Sequence, residues 1–287
     1  MLSFVLRLLA RLPLKLFYVA GGWLGWLIDA VSPRYAARLR ENLRQSGLLD
    51  SSGEETLLSH TIAEAGRGVL ELIPIWFGQT DKTVALVREV VGWEHVEAAM
   101  ARGKGIIFLT PHLGCFEISA LYAAQHFPMT VLYRPPKLAW LQSLMAEGRG
   151  GLSLAPADLR GVRILLRALK RGQAVGLLPD QVPGVGEGVW ANFFGRPAYT
   201  MTLVARLAEV SNAAVLFAFA RRLSQGRGYQ ITIASAENFP QEATAAAQWI
   251  NHKVEALVRT CPAQYLWSYN RYKTPAGAPD QKMKDEG

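Results

Sequence analysis

Apolar and polar positions alternate along the chain in blocks of two lengths. Short apolar runs of strand length fall at Gly105–Thr110, Met129–Tyr133, Leu152–Leu154 and Gln173–Leu178. Stretches with helical periodicity separate them, near Glu94–Met100, after Gly114, near Leu138–Glu147 and over Asp158–Lys170. The last is the plainest, with Val162, Leu165, Leu166 and Leu169 on one face and Arg160, Arg163, Arg167 and Lys170 elsewhere. Strands that alternate with helices predict an α/β fold with a mixed, largely parallel central sheet flanked by helices. Further on, a helix is expected over Thr202–Val210, paired strands over Ala213–Ala220 and Tyr229–Ala234 with a loop at Arg222–Gly228, and a last helix over Gln241–Thr260. Residues 182–197, rich in Gly and aromatics, are expected to form a long loop.

Ahead of this pattern lies an apolar segment, residues 2–31, with Arg7, Arg11 and Lys15 early in it and an uncharged run of thirteen residues from Leu16 to Ile28. Thirteen is short for a span, which takes about twenty apolar residues, whereas an interfacial helix needs only an apolar face with Trp and cations at its margin. The segment is read as a membrane anchor that lies on the bilayer or crosses it once, with a buried helix pair as the bland alternative. A secretory signal is disfavoured because Ile28-Asp-Ala-Val-Ser-Pro33 offers no good cleavage site. Basic and mixed helices follow at Arg34–Arg44 and from Leu57 to Leu72, the second with Ser52 and Glu55 spaced as a capping box. The domain reading is an anchor at 1–31, one catalytic domain at 32–274 and a disordered tail at 275–287, rich in Pro, Gly and charge.

Composition narrows the function. Half of the 287 residues are hydrophobic, enough for a sizeable core. A net charge of +8 favours an anionic partner, such as a membrane surface, a phosphorylated substrate or an acidic carrier protein. Nucleic acid is the weakest choice, because the cations are dispersed and no binding motif accompanies them. Two cysteines, Cys115 and Cys261, without CxxC spacing give neither a disulfide framework nor a zinc site, and suit a reducing cytosolic environment. The five histidines show no metal-ligand spacing, so no metal and no cofactor is expected. Gly103-Lys104-Gly105 is not a phosphate loop, and Gly184, Gly186 and Gly188 lack the spacing of a dinucleotide fingerprint.

Chemistry concentrates where the strands end. Pro111 disfavours helix at Thr110 and breaks the ladder, so the first of these strands must turn there. Were His112 already helical, Glu117 five residues on would point about 140° away round the helix. With His112 in the turn and Glu117 in the first helical turn, the two can meet. Arg134 follows the next strand, and Asp180 with Gln181 follows the one that ends at Leu178. In a parallel sheet these ends share one edge, where open α/β sheets hold their sites. A histidine beside a carboxylate, with no serine in an elbow motif, suits general-base activation of a hydroxyl brought by the substrate. Glu117 would then hold the imidazole tautomer. The oxyanion of an attacked carbonyl would be met by an Arg or by N–H groups of the Pro111–Gly114 turn. Cys115 reads as a small buried residue rather than a nucleophile. Trp76, Phe77, Trp190, Phe193 and Phe194 are candidates to line an apolar slot, with core packing as the bland reading for each.

Five short motifs in one order carry a resemblance. Pro111-His-Leu-Gly-Cys-Phe-Glu117, Tyr133-Arg-Pro135, Leu178-Pro-Asp-Gln181, Phe193-Phe-Gly-Arg-Pro-Ala198 and Tyr265-Leu-Trp-Ser-Tyr-Asn-Arg-Tyr-Lys273 resemble the late acyltransferases of lipid A biosynthesis, in the lysophospholipid acyltransferase-like superfamily. The resemblance implies a glycerol-phosphate-acyltransferase-like fold and an enzyme on the cytoplasmic face of the inner membrane. It would move a fatty acyl chain from acyl carrier protein to a hydroxyl of a lipid A precursor. It also implies His112 as base, Glu117 as its partner, Arg134 and Asp180 in the same site, and Arg149 toward an anionic substrate group. Acylation of another membrane glycolipid or phospholipid, or hydrolysis of an acyl thioester, are the alternatives.

Overall fold

A computed structural model describes residues 2–49, 54–136 and 138–280, so the capping box at Ser52 and the tail from residue 281 lie outside the described residues. In chain order the elements are α1 (Leu2–Leu9), α2 (Leu14–Val31), α3 (Pro33–Gln45), α4 (Glu54–Leu70), α5 (Leu72–Phe77), α6 (Thr80–Val84), β1 (Val87–Val91), α7 (Trp93–Ala101), β2 (Ile106–Leu109) and α8 (Phe116–Ala123). After them come β3 (Met129–Tyr133), α9 (Ala139–Gly148), β4 (Ser153–Pro156), α10 (Leu159–Lys170), β5 (Ala174–Leu177), β6 (Gly188–Phe193), β7 (Arg196–Met201), α11 (Leu203–Ser211), β8 (Ala214–Arg222), β9 (Tyr229–Ser235) and α12 (Ala243–Thr260).

Seven strands form one sheet in the order β1-β9-β8-β2-β5-β3-β4. Strands β8, β2, β5, β3 and β4 run parallel, while β9 is antiparallel to β8 and carries β1 parallel to itself. The expected mixed, largely parallel sheet is therefore the observed one. Its centre, β2, is buried at every position, as a parallel strand covered on both faces must be. Ile107 and Leu109 face the core beneath α3, α4, α10, α11 and α12, and Ile106 and Phe108 face the core beneath α5, α7 and α8. Asp158 caps α10 by accepting from the Gly161 N–H at 2.8 Å, and the Glu242 carboxylate caps α12 in the same way.

Residues 182–197 correct the sequence reading. From residue 188 onward that stretch is the hairpin β6–β7, turned by Phe194 and Gly195 at φ +48° and +72°. Two positive φ values make the primed turn that suits a two-residue hairpin, but Phe in the first place hides the usual Asn-Gly signal. Of the tail, Pro279 lies against this hairpin and accepts a hydrogen bond from Trp190 Nε1 at 2.8 Å.

The N-terminal segment folds as two helices. Among the described helices α2 is long and apolar enough to cross a membrane, with 22% of it buried. One face of α2 meets α4 through glycines: a Cβ on Gly25 would stand 2.0 Å from the Ile62 carbonyl oxygen, and one on Gly66 2.2 Å from that of Gly21. The other face presents Leu16, Val19, Trp23 and Leu27 outward.

Candidate active site

The chain leaves β2 at Leu109 and turns through Pro111-His112-Leu113-Gly114. His112 stands in the turn, as the five-residue spacing to Glu117 requires, although α8 starts at Phe116 rather than near Gly114. Gly114 has φ +62°, and a Cβ there would lie 2.0 Å from the Ala220 carbonyl oxygen, so β8 presses directly on the turn. The C-terminal aromatic segment holds the other side, with Gly114 N–H donating to Gln264 O at 3.0 Å and Leu266 N–H to His112 O at 3.0 Å. Leu113 and Cys115 give their N–H groups to the carbonyls of Pro111 and Ala220. The turn's N–H groups are thus occupied, which removes them as free donors to an oxyanion.

Register brings the second carboxylate in. Leu109 of β2 lies beside Leu177 of β5, and Asp180 follows three residues later. Its carboxylate accepts twice from His112: from the backbone N–H at 3.0 Å and from the ring at Nδ1, 2.9 Å away. Asp180 is 2% exposed. Burial opposes its charge, but the attraction of His112, the two hydrogen bonds and the positive charge of buried Arg271 outweigh it and hold the carboxyl below its ordinary value. An ionised carboxylate only accepts, so Nδ1 carries the ring proton and Nε2 keeps a lone pair for a substrate proton. The side-chain amide of Gln181 stands 3.5 Å from Nε2. The imidazole is stacked against Tyr269, with centroids 5.8 Å apart, and edge-on to Phe116 at 5.0 Å.

The expected pairing of Glu117 with the imidazole is corrected here. Asp180 takes Nδ1, while the Glu117 carboxylate turns to Arg149, which reaches it with both Nε (2.9 Å) and Nη2, and accepts from Trp76 Nε1 at 3.1 Å. A bidentate guanidinium satisfies a buried carboxylate better than one imidazole N–H can. Glu117 and Arg149 are nonetheless close to the His112 turn, since both line a cavity of about 50 Å³ with Thr110, Phe116, Leu177 and Leu178. Arg134 stays exposed at the rim beyond β3, near enough to Tyr269 for its charge to counter part of the upward push that burial gives the phenol.

Sequence reasoning missed the network beneath the turn. Arg222 at the end of β8 is buried; it donates to Glu71 at 2.7 and 2.9 Å, to Glu64 at 2.8 Å and to the Gly114 carbonyl at 2.8 Å. Arg67 pairs with Glu64 at 2.6 Å and stacks on Tyr18 of α2. Tyr229 gives its hydroxyl to Glu71 at 3.0 Å. Separations of 151 and 158 residues left no local signal for these pairs. Tyr269 was visible only as one aromatic among several. Cys115 sits beside this network, where burial and then the negative charge of Glu71 push its thiol well up, so no thiolate nucleophile is on offer. Of the slot candidates, Phe193 and Phe194 belong to the core packed on α12, whereas Trp76 stays outside the lining of the Glu117 cavity and reaches Glu117 through its indole N–H. Among the described residues no group of three or more metal-binding side chains is found.

A mostly parallel α/β sheet carries at its carboxyl edge a buried His–Asp pair and, next to it, an Arg–Glu pair that lines an apolar cavity, an arrangement compatible with general-base chemistry. A family model for "Bacterial lipid A biosynthesis acyltransferase" matches residues 1–274, and the chain belongs to that family and is an acyltransferase. It is 30% identical to the lipid A biosynthesis lauroyltransferase of Escherichia coli (strain K12), over 96% of this chain and 92% of the relative. It is 27% identical to a lipid A biosynthesis acyltransferase of Haemophilus influenzae, with 94% and 86% covered. The palmitoleoyltransferase of lipid A biosynthesis in Escherichia coli (strain K12) is also 27% identical, with 95% and 90% covered. The resemblance read from the five motifs is thereby confirmed.

Proposed function

We propose that the enzyme transfers a fatty acyl chain from acyl carrier protein to a hydroxyl of a lipid A precursor at the cytoplasmic face of the inner membrane. The observation that carries this reading is the buried His112–Asp180 pair, its Nε2 left as acceptor, two residues along the chain from Thr110 and Leu178 in the wall of an apolar cavity. His112 Nε2 takes the proton of the acceptor hydroxyl as its oxygen attacks the thioester carbonyl, and Asp180 stabilises the imidazolium that forms. With the turn's N–H groups occupied, the oxyanion falls to the cations, Arg149 within the cavity wall or Arg134 at the rim. Collapse of the tetrahedral centre expels the carrier thiolate, which recovers the proton from the imidazolium. Glu117 fixes Arg149 in the cavity wall and is itself held by the indole N–H of Trp76. The net charge of +8 attracts both an acidic carrier and a phosphorylated acceptor. Residues 1–31 serve as the anchor, the outward face of α2 meeting lipid.

The test is incubation of the full chain in detergent with acyl-acyl carrier protein and a tetra-acylated lipid A precursor, with products read by mass spectrometry. One added acyl chain on the acceptor supports the reading. Free fatty acid with no acylated lipid assigns a thioesterase instead and overturns it.

Chain length supplies a second expected result. Met129 and Ala120 border both the Glu117 cavity and a smaller apolar one, about 20 Å³, walled by Trp93 and Phe108. Gly176 leaves the notch that Met129 fills: a Cβ there would be 2.7 Å from Met129 Cε. Met129→Ala removes three heavy atoms from this partition and is expected to move the preferred chain toward donors longer by about two methylenes. Competition among donors of mixed length measures it, and an unchanged profile at retained activity would remove Met129 as the end of the slot.

A further inference from the structure

A second and larger cavity, about 860 Å³, opens where the α1–α2 connection crosses α5, α6 and the C-terminal end of α9. Nothing in the catalytic scheme uses it. Its volume is that of a site for a sizeable ligand. Its walls are of two kinds. Leu12, Leu14, Trp76 and Leu121 supply apolar surface, and Arg7, Arg11 and Lys82 supply charge. Arg7 is matched, because it and Ser3 bind Glu147 of α9 and so fasten α1 across the cavity. Arg11 and Lys82 have no carboxylate partner among the described residues. Once Glu147 is neutralised by Arg7, the cavity carries two uncompensated positive charges.

We infer that this cavity receives the phosphate-bearing headgroup of the acceptor lipid, with Arg11 and Lys82 on the phosphate. The assignment rests on the acyltransferase reading above and adds where the acceptor is held. Three observations select a membrane lipid over a free anion. Apolar walls beside the cations suit the junction of headgroup and chain, which a small ion would leave unfilled. The cavity is built on the connection between α1 and α2, whose exposed Phe4, Leu8, Leu16 and Val19 set it at the level of the bilayer surface. Cations there meet phosphate groups by attraction that two unpaired side chains offer without breaking an existing pair. The cavity also abuts the chemistry. Trp76 lines this cavity, and its indole N–H donates to Glu117, which lines the smaller one. Leu121 lies one helical turn beyond Glu117 on the same face of α8. A headgroup seated here would present its sugar hydroxyls toward Glu117 and the turn that carries His112.

The test compares the full chain with an Arg11→Gln, Lys82→Gln double variant in detergent, on the phosphorylated acceptor and on the same glycolipid after phosphatase treatment. The expected result is a KM raised roughly tenfold on the phosphorylated acceptor, the effect falling on KM rather than kcat, and no such rise on the dephosphorylated one. An unchanged KM on the phosphorylated acceptor overturns the assignment, as does an equal rise on both, which would mark general membrane attraction. Competition by inorganic phosphate at the concentration of the lipid would reassign the cavity to a free anion and also overturn it. Absence of transfer by the unaltered chain defeats the acyltransferase reading instead. Cosedimentation with phosphatidylcholine vesicles carrying phosphatidic acid then decides: binding that the double variant loses supports the cavity, and binding that it keeps overturns it.

Discussion

Asp180→Asn is expected to lower kcat by roughly 10²–10⁴-fold while leaving the fold in place, and His112→Ala to do at least as much. The reason lies in the donors. Asp180 as a carboxylate can only accept, which fixes the ring proton on Nδ1 and leaves Nε2 basic. An amide in its place can turn its NH2 to Nδ1, so the tautomer with a protonated Nε2 becomes equally available and the base is lost. The backbone N–H of His112 can still be accepted by the amide oxygen, which keeps the turn where it is. Glu117→Gln discriminates the two carboxylates. If Glu117 oriented the ring, its amide variant should suffer the tautomer defect and Asp180→Asn should be mild; steady-state kinetics showing that order would sink the assignment.

The same pair predicts a pH effect on stability. The folded carboxyl of Asp180 lies below its ordinary value, so the stability it contributes is complete above the unfolded pKa and is lost as pH falls through the folded one. Denaturant midpoints of the unaltered chain and of Asp180→Asn should therefore converge as pH drops below the ordinary carboxylate range. Midpoints that instead diverge on acidification would contradict a depressed carboxyl.

Arg222→Ala is expected to cost about 3–5 kcal/mol of stability, because it strands the buried carboxylate of Glu71 without a cation. Glu64 keeps Arg67, but Glu71 is left with neutral donors such as the hydroxyl of Tyr229. The Gly114 carbonyl also loses its donor, next to the turn that carries His112. For a chain of this size the loss corresponds to a drop of about 10 °C in Tm. Adding Glu71→Gln to the variant should recover part of it, since the stranded charge is then gone. A thermal shift of a degree or less for Arg222→Ala, read by calorimetry in detergent, would show that the network is not holding the turn. Because Arg67 also grips Tyr18, the cluster ties α2 to the turn that carries His112, and α2 is packed into the domain rather than hung from it.

Much of the fold was legible in the linear pattern for a simple reason. A strand buried on both faces must be continuously apolar, and an amphipathic helix must repeat every three to four residues, so β2, β3, β5 and α10 announce themselves. The hairpin β6–β7 did not, because its turn places Phe194 where Asn or Gly is usual.

The sequence by itself determined that His112 sits in a turn at a strand end, that further strand ends deliver Arg134 and Asp180 to the same edge, and that five ordered motifs mark the family. Only the tertiary structure decided which carboxylate serves the histidine. Glu117 is near it in the chain, but Asp180 is brought beside it by the register of β2 on β5, and Glu117 is claimed by an arginine 32 residues away. Local spacing fixes which side chains can reach one another; the partner each takes depends on the competing charges that the folded chain assembles around it.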